Sequence, residues 1–176
     1  TNFTVESWAK VTGGEGTYRA LVSARDEGNV FEKGFIIYAT SGNIWSFWVG
    51  DGTTWQTLNG PPVVLDQWTH LAAVYDGQTK YFYVNGALVG SQTIGYVPND
   101  LRPIRIGAGK NESVAGDYWF YGTIDEVAIY NTVLPAERVE YHYLLGKYSD
   151  ITAPFIVQQP VSQTVLVGSP VAFNAT

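Results

Sequence analysis

Residues 68–92 read WTHLAAVYDGQTKYFYVNGALVGSQ, three runs with apolar residues at alternate positions, separated by Asp76-Gly77-Gln78-Thr79 and by Asn85-Gly86. An Asn-Gly pair between two such runs supplies positive φ at two successive residues, the backbone of the tight turn whose twist matches that of paired strands. The stretch therefore predicts three consecutive antiparallel strands. Asp76 and Asn85 are turn-forming residues in this reading, their side chains serving the local backbone.

Upstream, GFIIYAT and NIWSFWVGDG are two strands joined by Thr40-Ser41-Gly42, the spacing of a hairpin. FTVESWAKV opens a strand that stops at Thr12-Gly13-Gly14-Glu15-Gly16, YRALVSARD is a second, and a polar loop runs from Glu27 to Lys33. Downstream, a Pro-containing stretch at 96–103 leads to a short strand in PIRIGAG, a polar loop at 109–117 and a long strand in YWFYGTIDEVAIYN. The total is about eleven strands at roughly 8 to 12 residue spacing, as in a sandwich or jelly roll. One helix is expected near 135–145: Pro135 suits a first helical position, Ala136, Val139 and Tyr143 share a face, and Gly146 suits the residue just past the end. The fold class is all-β, a two-sheet antiparallel sandwich with one short C-terminal helix.

Composition narrows the function. The chain of 176 residues has net charge −6 and only 10 Lys and Arg, without a basic run, which leaves no electrostatic footprint for nucleic acid or an anionic membrane. Cys is absent, excluding disulfides, thiolate metal sites and cysteine nucleophiles. No apolar run approaches the ~18 residues of a membrane span. Asn-x-Ser/Thr triplets at Asn2, Asn111 and Asn174 are too common by chance to carry weight.

The motifs FTVESW (3–8), QWTHLAAVYDG (67–77), FYVNGALV (82–89), IRIGAG (104–109) and GTIDEVAIYNTVLPAE (122–137) resemble, in order and spacing, the bacterial laminin G-like, concanavalin A-like jelly-roll family. The resemblance implies two antiparallel sheets packed face to face, in proteins that are usually extracellular and multidomain. Family members usually carry one more N-terminal strand with an acidic turn, so the chain is read as a segment of a longer polypeptide, the alternative being a first strand donated by another chain. Residues 1–147 form the laminin G-like domain in this reading. Residues 148–176 are a linker and the first strands of an incomplete immunoglobulin-like domain, which PFIVQQPVSQTVLVGSPVAFNAT resembles.

Hydrolases of this architecture resemble one another in a Glu-x-Asp-x-(x)-Glu strand whose carboxylates share a groove. Here Thr123-Ile124-Asp125-Glu126-Val127 is the nearest match, and strand alternation places its two acids on opposite faces, so no enzyme is expected. His70 and His142 have no Ser or Asp arrangement near them in sequence and read as packed or surface residues. Asp125 is placed on a face with Val127 and Ile129, at the core or its rim, where it needs a partner. Two partners stay open: backbone N–H groups, or a structural Ca²⁺ completed by Asp26, Asp51 or Asp117. Trp45, Phe47 and Val49 alternate inward, leaving Trp48 half exposed, with Trp55 in a polar loop beside it. Trp48, Trp55, Tyr118 and Trp119 are the candidate carbohydrate-binding residues, since an indole face stacks on the C–H face of a pyranose; packing against loops or a neighbouring domain is the competing reading. Trp8 and Trp68 are placed in core strands. The expected function is a non-catalytic extracellular module that binds glycan or mediates adhesion; the alternative is a structural repeat of a surface fibre or layer with protein contacts.

Overall fold

The computed structural model describes residues 1–27, 32–100, 102–109 and 117–148. The immunoglobulin-like segment expected at 148–176 lies, beyond Tyr148, outside the described residues.

Ten strands and one helix follow in chain order: β1 (Phe3–Val11), β2 (Arg19–Glu27), β3 (Glu32–Ala39), β4 (Ile44–Gly50), β5 (Trp55–Pro62), β6 (Trp68–Tyr75), β7 (Thr79–Val84), β8 (Ala87–Thr93), β9 (Arg105–Ile106), β10 (Gly122–Tyr130) and α1 (Ala136–Lys147). They form two antiparallel five-stranded sheets, ordered β10-β1-β6-β7-β8 and β5-β4-β3-β2-β9. The core lies between them, where Val5, Leu71, Ala73 and Phe82 of the first sheet meet Leu21, Ile37, Trp45, Phe47 and Val49 of the second. Each of these side chains comes from the apolar phase of a period-two pattern, so one sheet face is dry.

The deciding stretch folds as expected into β6, β7 and β8. Asn85 and Gly86 take φ of 50° and 77°, and Asp76 Oδ1 accepts the backbone N–H groups of Gln78 and Thr79 at 2.8 and 2.7 Å. Three boundaries differ from the sequence reading. WQTLNGPP is a strand, β5, so Trp55 opens a strand instead of lying in a loop. The long strand expected from Tyr118 begins at Gly122. In the helix, Pro135 is the N-cap and Gly146 lies inside the last turn. A Cβ on Gly146 would stand 2.5 Å from Trp8 Nε1 and 2.6 Å from two ring carbons, so the glycine there is explained by close packing. Through the buried Val139, α1 packs on the outer face of the first sheet, against Ala72, Val74 and Tyr83.

Candidate functional site

The outer face of the second sheet carries an aromatic bowl. With Trp45, Phe47 and Val49 turned inward, alternation turns Ser46 and Trp48 of β4 outward, and the same phase brings out Ile36 and Tyr38 of β3. Tyr18, Arg25, Tyr38, Trp48, Trp55 and Tyr118 line a cavity of about 120 Å³. Trp48 packs edge to face on Tyr18 and Tyr38, 5.9 and 5.3 Å between centroids, and Tyr118 packs edge to face on Tyr38 at 5.8 Å and tilted by 33° against Tyr18 at 5.2 Å. Such pairs contribute roughly 0.5 to 1.5 kcal/mol each beyond buried area. The bowl is also held by polar contacts. Trp48 Nε1 donates to Ser46 Oγ at 2.7 Å, the Ser46 hydroxyl donates to Asn59 Oδ1 at 2.8 Å, Arg25 donates to the Tyr38 hydroxyl at 2.6 Å, and the Arg25 guanidinium lies 5.0 Å from the Trp55 ring centroid.

Three of the four aromatic candidates, Trp48, Trp55 and Tyr118, therefore meet in one half-buried cluster. Trp119 does not join them; it is 56 % exposed, and it follows Tyr118, whose φ of 53° turns the chain before β10 begins. Tyr38 and Arg25 were missed in the sequence, and the signal that could have found them is the outward phase of β2 and β3.

Asp125 is not at the core. It is exposed, and its Oδ1 accepts the N–H of Glu126 at 2.8 Å. A β-bulge explains the error: Trp8 pairs with Asp125 and Glu6 with Ala128, so Glu126 and Val127 face the single residue Ser7, with Glu126 at φ 51°. The bulge shifts the phase, sending Ile124 and Val127 to the core and bringing Asp125 and Glu126 to line one cavity instead of opposite faces. The proposed calcium partners are engaged elsewhere. Asp51 accepts N–H and hydroxyl groups from Thr53, Thr54 and Gln56, which hold its carboxyl far below the ordinary range although burial acts the other way. Asp26 pairs with Arg102 at 3.5 Å, and Asp117 accepts the N–H of Tyr118. Among the described residues no three His, Asp or Glu side chains converge as metal ligands do.

The second cavity, about 890 Å³, lies on the opposite outer face, between the first sheet and α1. Its floor holds Glu6, buried to 5 % exposure, with Tyr130 donating to Oε1 at 2.8 Å and His142 Nδ1 donating to the same oxygen at 2.7 Å. His70 Nε2 lies 3.6 Å from Oε2. Burial pushes the pKa of Glu6 up, toward the neutral form, but the contacts with His70, Tyr130 and His142 outweigh it and keep the carboxyl below its ordinary value. The two histidines thus flank one carboxylate, an arrangement assembled from residues 64 and 136 positions away in sequence and invisible without strand register. Trp8 is half-buried between His70 and Tyr143, and Trp68 is 41 % exposed with Lys10 Nζ 5.2 Å from its ring centroid. Trp68 is therefore not a core residue; it sits on the outer phase of β6, whose inner phase is Thr69, Leu71 and Ala73.

Solved structures share this architecture. The carbohydrate-binding module (family 40) of the Ruminococcus gnavus IT-sialidase superposes with TM-score 0.66 at 19 % identity, covering 81 % of this chain and 82 % of that one, and a second structure of it holds α2,3-sialyllactose. A putative carbohydrate-binding protein of Bacteroides ovatus matches with TM-score 0.61 at 18 % identity over 79 % of this chain and 40 % of its own. A pentraxin of Limulus polyphemus matches with TM-score 0.59 at 17 % identity over 79 % and 68 %. No curated protein matches the sequence. The sequence itself matches, over residues 1–140, the third laminin G family model, described as the concanavalin A-like lectin/glucanases superfamily, and the chain belongs to that family.

Proposed function

We propose that the chain is a non-catalytic glycan-binding module of a larger secreted or cell-surface protein, with the bowl of Tyr18, Tyr38, Trp48, Trp55 and Tyr118 as its sugar platform. The observation that carries this reading is the convergence of five rings on an outer sheet face around an open concavity, where hydrophobic burial alone would have placed them in the core. A pyranose stacks its C–H face on such rings, while the Ser46 and Asn59 chain fixes the Trp48 orientation before the ligand arrives. The similarity in fold to modules that bind sialyllactose supports the same reading. No carboxylate is among the described residues lining the bowl, and glycoside hydrolysis needs a pair of them on the scissile bond.

A glycan array followed by calorimetry tests the proposal. Affinity should rise with oligosaccharide length, and Trp48→Ala or Trp55→Ala should weaken binding about five-fold or more, the equivalent of a stacking contribution near 1 kcal/mol. Trp48→Phe, which keeps a ring, should restore part of it. Binding that survives both alanine variants would remove the bowl from the account.

A second reading has its own observation. Ile104, Ile106, Trp119 and Tyr121 are each at least half exposed, an apolar set of the kind that protein contacts cover. Silence across a broad glycan array would favour this structural-repeat reading.

A further inference from the structure

The bowl on the second sheet is too small to swallow a sugar. Its cavity of about 120 Å³ lies below the roughly 300 Å³ at which sites begin to enclose a small molecule. A pyranose therefore rests across the rim, and what enters is a substituent carried by the ring. The lining selects among substituents. Tyr18, Tyr38, Trp48, Trp55 and Tyr118 offer apolar ring surface, and Arg25 is the one charged side chain among the described residues of the wall. Its guanidinium is held between the Tyr38 hydroxyl and the Trp55 ring, and a guanidinium carries five N–H donors and a fixed positive charge.

A bare methyl group would use the rings and leave that charge unmet. An ammonium would be repelled by it. A carboxylate would answer the charge but lose its water against an otherwise aromatic wall. An acetamido group suits both parts of the lining: its methyl and flat amide face pack on rings, its carbonyl oxygen accepts, and it has no net charge to desolvate.

Tyr118 supplies a second, independent observation. Its φ is 53°, left-handed backbone that a bulky side chain rarely adopts. Among the described residues, the other positive φ values outside glycine belong to Asn43, Asp66 and Asn85, which tolerate that region, and to Glu126 in the bulge of β10. Glycine takes nine more such positions. The Tyr118 carbonyl accepts the Ala20 N–H at 2.8 Å and its own N–H donates to Asp117 Oδ1 at 2.8 Å, so the backbone is pinned there. Glycine would satisfy that backbone without strain; what the position keeps at a cost in stability is the ring. That ring packs on Tyr18 and Tyr38 and walls the cavity.

We propose that the bowl is a pocket for the acetamido group of an N-acetylated amino sugar, with the pyranose across its rim and Tyr118 held in strained backbone as the wall that confers the preference. The inference rests on the bowl being the glycan site and names the class of sugar it takes.

The test is calorimetry with four β1,4-linked trimers, of N-acetylglucosamine, glucose, glucosamine and glucuronic acid. The N-acetylglucosamine trimer should bind about ten-fold or more tighter than the glucose trimer, the equivalent of one buried methyl and one hydrogen bond. The glucosamine trimer should bind weakest. Tyr118→Gly should shrink the preference for the acetylated trimer to about two-fold or less, whereas Trp48→Ala should weaken the acetylated and the glucose trimers alike. Tyr118→Gly should also melt a few degrees above Tyr118→Ala, which loses the same ring and keeps the strain. Equal binding of the acetylated and glucose trimers, both weakened by Trp48→Ala, would overturn the acetamido pocket and leave the sugar platform standing. Tighter binding of the glucuronic acid trimer, no binding of any trimer, a preference that survives Tyr118→Gly, or a glycine variant no more stable than the alanine one would overturn the proposal too.

Discussion

Lys80 is fully buried in β7, its Nζ donating to the backbone oxygen of Gln56 in β5 at 2.7 Å and lying 5.7 Å from the Phe47 ring centroid. The contact joins the two sheets at the edge of the core. Burial without a carboxylate partner pulls its ammonium down to about 7. In the unfolded chain the same group keeps its proton to about 10.4, so between these values the unfolded state binds more protons and stability must rise with pH. The melting temperature should climb from pH 7 to pH 9.5, at no more than about 1.4 kcal/mol per unit from this group. Lys80→Met should flatten the climb, while an unaltered slope would show that Lys80 is not the source. Above pH 10 the trend should reverse, since burial also holds Tyr96 and Tyr130 up near 12. Lys80 shares its strand phase with the inward Phe82 and Val84, but the opposite phase of TKYFYV holds Tyr81 and Tyr83, so the pattern leaves the inward face ambiguous; the outward phase of Trp48, by contrast, was legible because Trp45, Phe47 and Val49 fix the inward one. Asp125 defeated the same logic through one extra residue in a bulge.

At the level of elements, the β6–β7–β8 meander was legible because Asp76-Gly77 and Asn85-Gly86 dictate their turns chemically. β5 was not, because Asn59, Gly60, Pro61 and Pro62 have poor strand propensity and pairing with β4 overrides it. α1 was placed correctly except at its ends, where tertiary packing decides. An exposed helical Gly changed to Ala gains about 1 kcal/mol, yet Gly146 abuts the Trp8 indole at a distance no Cβ tolerates. Gly146→Ala should therefore destabilise the protein instead of stabilising it. In a Trp8→Ala background the same change should become neutral or favourable, and a thermal-melt double-mutant cycle measures the reversal. Additive effects would show that the indole and the helix end are not in contact.

Across the whole molecule, the sandwich leaves two outer faces with different equipment: an aromatic bowl on β2 to β5, and a carboxylate- and histidine-lined cavity beneath α1. The fold and the family were readable from strand spacing and motifs, while the sites were readable only in part. Trp48, Trp55 and Tyr118 could be named singly, but their meeting with Tyr38 and Arg25 follows from register, as does the pairing of His70 and His142 around Glu6. The six tryptophans fall on both faces, in the core and at the surface, so their indole signals report separately on each region. A titration of ¹⁵N-labelled protein with the strongest oligosaccharides from a glycan array tests the central claim most directly. The account predicts saturable shifts of the Trp48 and Trp55 indole signals with Trp8, Trp45 and Trp68 unmoved; no indole shift with any glycan, or shifts that bypass Trp48 and Trp55, would contradict it.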